Sequence, residues 1–200
     1  MPCVYASSSS VYGLNESIPF AEKDQTDHPT SLYGATKKSN ELIAHSYHHL
    51  FDLQLTGLRF FTVYGPWGRP DMAYYSFAKA IVENRPIQVF DEGKGKRDFT
   101  YIDDIIEGII ASIDLKAGYE IFNLGNHSPQ TTLELISSIE RHLGKAAIKE
   151  FLPKQPGDVD ITYADIKKSQ KKLGFQPKIS LDEGIRNFIH WFIDYEKKQN

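Results

Sequence analysis

The sequence predicts an α/β protein organised around a parallel sheet, and three observations carry that expectation. Short β-prone apolar segments alternate with segments whose apolar residues recur at helical spacing. The opening Cys3-Val4-Tyr5-Ala6 runs directly into Ser7-Ser8-Ser9-Ser10, as a buried parallel strand ends in a polar loop at its C-terminal edge. Apolar residues fill 40% of the 200 positions and charged residues 24%. That balance supports a packed soluble core and excludes a disordered chain.

Local signals then place the elements in order. After a loop punctuated by Pro19 and Pro29, Thr30 or Ser31 caps a helix reaching about residue 50, with Leu32, Ala35, Leu42, Ile43 and Ser46 at helical spacing. Residues 53–60 read as the next strand. Gly65, Pro66, Gly68 and Pro70 impose a structured loop. A helix over 72–83, a strand over 87–90, a glycine turn and a strand over 97–102 follow. Residues 105–113 form an apolar helix and 119–124 a strand. Thr131 or Thr132 caps a helix ending near Gly144, and 153–158 is a loop. Asp165 caps a short basic helix that Gly174 stops, and Ser180 opens the last helix. Its aromatic face of Phe188, Trp191, Phe192 and Tyr195 is expected to pack in the core.

The net charge of −3 gives no general attraction to nucleic acid or anionic membranes, although local basic groups could hold a small anion. No apolar run has bilayer-spanning length, and no basic-then-apolar leader opens the chain. The single Cys3 cannot close an internal disulfide and reads as a small buried apolar side chain. These features predict a soluble, cytoplasmic protein. His45, His48 and His49 crowd one helix without a carboxylate or cysteine at ligand spacing, so no metal site is expected.

Tyr33 and Lys37, four apart, share one helix face. An ammonium beside a phenol favours the phenolate, which makes Tyr33 a candidate general base for an alcohol. In a chain with 11 tyrosines such spacing also arises as an ordinary surface pair. Ser8, at the end of the first strand, could orient the substrate hydroxyl beside Tyr33. The combination of apolar strand, serine cluster, Val11-Tyr12-Gly13, loop and Tyr33-Gly34-Ala35-Thr36-Lys37 is what distinguishes the pair.

That combination resembles the extended short-chain dehydrogenase/reductase family, and the nucleotide-sugar epimerases and dehydratases within it, along essentially the whole chain. Arg59-Phe60-Phe61-Thr62-Val63-Tyr64-Gly65-Pro66 is similar to the family's strand and loop beneath the nicotinamide. Arg97-Asp98-Phe99-Thr100-Tyr101-Ile102-Asp103-Asp104 is similar to its substrate-domain signature, and Gln155-Pro156-Gly157-Asp158 to the late loop that closes on the nucleotide. The resemblance implies the C-terminal part of a Rossmann-like doubly wound parallel sheet over 1–66, interleaved with about 103–126. A smaller α/β substrate-binding domain, mainly 67–200, would complete the chain. It implies NAD, held in part by Tyr33, Lys37, Phe60 and Val63, and a UDP-sugar substrate. It also implies a homodimer through the helix carrying Tyr33, with Lys38, Glu41 and His45 on the outer face.

Two places resemble one branch more than others. In 4,6-dehydratases an acidic pair follows the active-site hydroxyl, whereas this chain has Ser9 and Ser10, poor acid–base groups for elimination. The segment Tyr64-Gly65-Pro66-Trp67-Gly68-Arg69-Pro70-Asp71-Met72 is similar to the loop of UDP-glucuronate 4-epimerases. There the arginine matching Arg69 approaches the sugar carboxylate, which a guanidinium can grip bidentately. A surface arginine tied to loop carbonyls is the alternative. The same resemblance assigns Arg97 to the diphosphate, or else to a partner such as Asp98 or Glu92. Thr62, with Ser9 and Ser10, falls near the sugar hydroxyls. Ile87 and Val89 would offer backbone groups to uracil or simply be core. Asp158 falls at the uridine ribose, unless it only caps a turn, and Gln155 belongs to the same late loop that closes on the nucleotide.

The reaction that the resemblance implies is a 4-epimerisation, UDP-glucuronate to UDP-galacturonate, by transient oxidation at C4. A neutral UDP-hexose epimerase, a related decarboxylase or a non-catalytic binding or docking subunit are the alternatives. The family's GxxGxxG phosphate loop has no match here: Gly93-Lys94-Gly95 precedes a strand, and Gly65-x-x-Gly68 lies in a proline-rich loop. On that basis three or four βα units of ~30 residues each are expected to lie outside this chain. The chain by itself is then expected to bind NAD weakly, to turn over little, and to expose sheet edge at 3–6 and 53–60.

Overall fold

A computed structural model describes residues 2–115, 117–155 and 159–199. The chain runs β1 (Cys3–Ser8), a 3-10 turn (Ser9–Tyr12), α1 (Leu32–Phe51), β2 (Leu55–Phe60), β3 (Thr62–Tyr64), α2 (Ala73–Val82) and β4 (Ile87–Phe90). It continues through β5 (Lys96–Arg97), β6 (Phe99–Tyr101), α3 (Ile102–Ile113), β7 (Tyr119–Leu124), β8 (Gln130–Thr131) and α4 (Thr132–Leu143). It closes with β9 (Lys149–Leu152), β10 (Ile161–Thr162), α5 (Lys167–Leu173) and α6 (Leu181–Gln199).

The main sheet is parallel, in the order β1-β2-β7, with Cys3 beside Leu55 and Leu55 beside Tyr119. Parallel neighbours need crossover connections, which α1 and α3 supply. β2 lies between the other two strands and is buried from Leu55 to Arg59. Residues 53–60 are therefore not the open edge that the sequence suggested. Among the described residues β1 pairs only with β2, and Cys3 and Ala6 are exposed there. Cys3 is thus not the buried apolar side chain expected of it.

Two hydrophobic cores flank the site. One gathers Val11, Phe20, Leu58, Phe61, Ile105 and Phe122 around the main sheet. The other packs α2, α4 and α6 on β4 through Tyr74, Ile81, Val89, Ile136, Phe188 and Phe192. Phe188 and Phe192 are core, as their spacing predicted. Helix ends follow sequence chemistry closely. Ser31 caps α1 by accepting from the Gly34 amide (3.0 Å), and Thr131 with Glu134 forms a capping box on α4. Gly144 and Gly174 end their helices in the left-handed conformation.

The strand expected over 97–102 is broken at Asp98. β5 pairs with β8 and β10, while β6 pairs with β3. The fully buried Asp98 carboxylate accepts from the amides of Asn126 (2.6 Å), His127 (3.1 Å) and Ala164 (2.9 Å), and gathering them pulls the chain out of one continuous strand. Among the described residues no helix is long and apolar enough to cross a membrane.

Candidate active site

The capped start of α1 and the C-terminal end of β1 meet over the loop that follows β2, the region where open α/β sheets place ligands. Gly34 makes the approach possible, because a Cβ there would stand 2.6 Å from the Ser10 carbonyl oxygen. Tyr33, the residue before it, is 53% exposed and faces a cavity of about 600 Å³. Lys37 lies one turn along, with Nζ 5.6 Å from the Tyr33 ring centroid and donating to the Ala6 carbonyl at 3.0 Å. The buried Ser8 caps the 3-10 turn: its Oγ accepts from the Ser10 amide and donates to Ser10 Oγ, each at 3.2 Å.

Seven predicted residues line this one cavity: Ser8, Ser9, Ser10, Tyr33, Thr62, Val63 and Arg69. Thr62 also lines two smaller cavities, of about 290 and 250 Å³. Arg97 lines both of those, so the three cavities adjoin around Thr62 and Arg97. Arg97 Nη1 donates to the Val159 carbonyl at 2.7 Å, and Glu92 pairs with Lys94 at 2.6 Å.

Other predicted residues stand apart. Phe60 packs beside the sheet core, and its neighbour Phe61 lines the cavity. Ile87 and Val89 point into the second core, and the Ile87 amide is committed to the Ile148 carbonyl at 2.8 Å. Strand alternation turns Gln88 and Phe90 toward the 290 Å³ cavity instead. Gln155 is exposed and lines none of the three cavities. Asp158, with Pro156 and Gly157, lies outside the described residues.

Arg69 is held at the rim, where its Nε and Nη2 reach the two Asp71 carboxylate oxygens at 3.0 and 2.6 Å. That contact raises the Arg69 pKa and lowers that of Asp71. Its loop is tied to α6: the Trp67 ring lies 5.2 Å from Trp191 and 5.5 Å from Tyr195.

Sequence reasoning missed the network beneath the site. Glu41, expected on the outer face of α1, is 1% exposed and accepts from Arg59 Nε at 2.8 Å and Nη2 at 2.9 Å. Ser7 Oγ donates to the same carboxylate at 2.6 Å. Arg59 Nη1 donates to Tyr12 Oη (2.9 Å), which donates to Asn123 Oδ1 (2.7 Å). Burial lowers the Arg59 pKa, but its bonds to Glu41 and Tyr12 more than offset that and leave it raised. The available signal was spacing: Tyr33, Lys37 and Glu41 fall on one stripe of α1, each four residues from the next.

The arrangement brings a phenol, an ammonium behind it and a row of hydroxyls to one end of a cleft that carries guanidinium groups further along. Such a site can orient an alcohol, move its proton and hold an anionic tail.

Residues 2–125 match the NAD dependent epimerase/dehydratase family. An uncharacterised protein of Methanocaldococcus jannaschii is 55% identical over 191 residues, covering 96% of this chain and 59% of its own length. UDP-glucuronate 4-epimerase 1 of Arabidopsis thaliana is 48% identical over 211 residues, covering 96% of this chain and 49% of its own length. The crystal structure of UDP-glucuronic acid 4-epimerase from Bacillus cereus, in complex with UDP-glucuronic acid and NAD, matches with a TM-score of 0.89 at 39% identity. That match covers 96% of this chain and 61% of the Bacillus chain.

Proposed function

Because the chain belongs to the NAD dependent epimerase/dehydratase family, we propose that its cleft serves a nucleotide-sugar 4-epimerase interconverting UDP-glucuronate and UDP-galacturonate. The observation that carries this is the single cavity shared by Tyr33, Ser8, Thr62 and Arg69. In this reading Tyr33 would serve as proton acceptor, Ser8 and Thr62 as sugar-hydroxyl partners and Arg69 as carboxylate partner around one bound sugar. Relatives that act on or bind UDP-glucuronate support the choice of sugar.

The residues present fit the nicotinamide-ribose end of NAD. Lys37 carries three donors, of which one is given to Ala6, so it retains capacity for a ribose hydroxyl. Val63 lines the cavity beside Tyr33, and Phe60 precedes it on the same passage of chain. The fit does not extend to the phosphates. Gly93 and Gly95 lead into β5, and the Gly65 and Gly68 loop packs on Ile102 and Tyr74, so neither opens a phosphate-binding helix. The chain by itself would therefore bind NAD weakly and turn over little.

When bound, NAD supplies the acceptor and donor of hydride at C4. Tyr33 takes the proton from the 4-hydroxyl and returns it after the 4-keto sugar has turned, with Ser8 orienting that oxygen. Ser9, Ser10 and Thr62 hold the remaining hydroxyls, and Arg69 holds the carboxylate. Arg97, between the two smaller cavities, takes the diphosphate. The 290 Å³ cavity takes uracil, with the Gln88 amide for its edge and Phe90 for its face. Gln155 and Asp158 would close on the uridine ribose, and the strand bearing Ile87 and Val89 would form the uracil wall. Exposed Leu42, Ile43 and Tyr47 on α1 suit the pairing of two subunits. His45 stays on that exposed surface, but Lys38 and Glu41 turn inward. The reaction would run in the reducing cytoplasm.

The test is conversion of UDP-glucuronate deuterated at C4, followed by NMR with NAD present, using this chain joined to a relative's GxxGxxG segment. UDP-galacturonate retaining deuterium at C4 is expected, and Tyr33→Phe should slow it by about 10²–10⁴-fold. Loss of the label to solvent would exclude hydride return to C4.

A further inference from the structure

Arg69 and Asp71 form a fork-to-fork pair, with both carboxylate oxygens engaged at 3.0 and 2.6 Å. This is the geometry that a guanidinium offers a ligand carboxylate. The backbone around the pair is tightly constrained. Gly65 has φ +145° and Trp67 φ +61°, and Gly68 leaves no room for a Cβ, which would stand 1.5 Å from Tyr74 Oη. On the far side the Met72 amide donates to the Arg69 carbonyl at 3.1 Å. The two side chains are thus presented to each other by a loop fixed at both ends.

They do not occupy the same space. Arg69 lines the main cavity, whereas Asp71 lines the neighbouring groove with Ser76, Phe77 and Gln88. The carboxylate therefore draws the fork toward the outer rim.

We propose that Asp71 is a specificity-determining residue: an internal carboxylate that occupies Arg69 in the empty cleft and is exchanged for the carboxylate of an acidic nucleotide sugar. This rests on the assignment of Arg69 to the sugar carboxylate made above. The internal pair tempers affinity for the acid and leaves neutral sugars untouched, because a neutral hexose asks nothing of Arg69. Both side chains are well exposed, 73% and 68%, so solvent screens the contact. Releasing Arg69 should then gain about two- to fivefold in affinity, not orders of magnitude.

The experiment is calorimetric titration of UDP-glucuronate and UDP-glucose into the whole chain as wild type, Asp71→Asn and Arg69→Ala. Asp71→Asn should tighten UDP-glucuronate about two- to fivefold and leave UDP-glucose unchanged. Arg69→Ala should weaken the acid selectively. If Arg69→Ala does so while Asp71→Asn changes nothing, the exchange is wrong and the Arg69 assignment stands. If Arg69→Ala weakens both sugars alike, the assignment falls and the exchange with it. An equal change for both sugars in Asp71→Asn makes Asp71 a loop-structure residue and overturns the proposal. Absence of binding to the wild type overturns both.

Discussion

Glu41 holds Arg59 through both carboxylate oxygens, at 2.8 and 2.9 Å, with side chains 1% and 3% exposed. The pair joins the helix that carries Tyr33 and Lys37 to the strand that leads into Thr62. Ser7 ties in the strand that ends at Ser8. Three elements that contribute to the cleft are thus referenced to one buried contact.

Removing one partner leaves an uncompensated buried charge. Glu41→Gln or Arg59→Met should each cost about 3–5 kcal/mol, whereas Glu41→Leu with Arg59→Met should recover most of it. Urea denaturation of the four proteins measures this; equal losses in the single and double variants would contradict it.

The same pair sets a pH dependence. Burial pushes the Glu41 pKa up, but the bonds and charge of Arg59, with Ser7, outweigh it and hold the carboxyl below its ordinary 4.5. A carboxyl lowered on folding stabilises above its unfolded value, and that stability is lost as pH falls through the folded value. The stability gap between wild type and Glu41→Gln should therefore be constant above about pH 5 and narrow below pH 4.5. Thermal melts across pH 3–7 (roughly the carboxylate range) read it, and a gap that widens in acid would refute the assignment.

Gly68 tests the loop. Tyr74, 2% exposed, donates to the Gly65 carbonyl at 3.2 Å and packs on Phe188 at 4.8 Å, so its hydroxyl has little room to yield to a Cβ. Gly68→Ala should cost about 1–3 kcal/mol by overpacking. The cost should be smaller in a Tyr74→Phe background, where the clashing oxygen is gone. Additive losses in a double-mutant cycle would show that the two positions do not meet.

Much of this was legible in sequence because the signals are local. Ser31, Thr131, Gly144 and Gly174 mark helix ends through chemistry confined to one turn, and β4 and β7 fall where short apolar runs sit between breakers. β9 and the short β3 depend on partners far along the chain, Ile87–Phe90 and Phe99–Tyr101, and carry too few residues for a pattern. Asp98 broke a predicted strand because its amide partners come from Asn126, His127 and Ala164, which no local window sees. Tyr33, Ser8, Thr62, Arg69 and Arg97, singled out by their motifs, all line the cavities. Gln88 and Phe90 were missed because the face that each residue of a two-sided strand presents depends on the fold. Glu41 was misplaced because a carboxylate on a helix is ordinarily solvated, and its partner Arg59 lies 18 residues on.

Amide NMR of the isotope-labelled chain during titration with UDP-glucuronate tests the nucleotide-sugar cleft most directly. Saturable shifts are predicted at Ser8–Ser10, Tyr33, Thr62–Gly65, Trp67–Arg69 and Arg97, residues that line the three adjoining cavities. Saturating shifts confined to other surfaces, such as the basic helix α5, or no saturation at all, would contradict it.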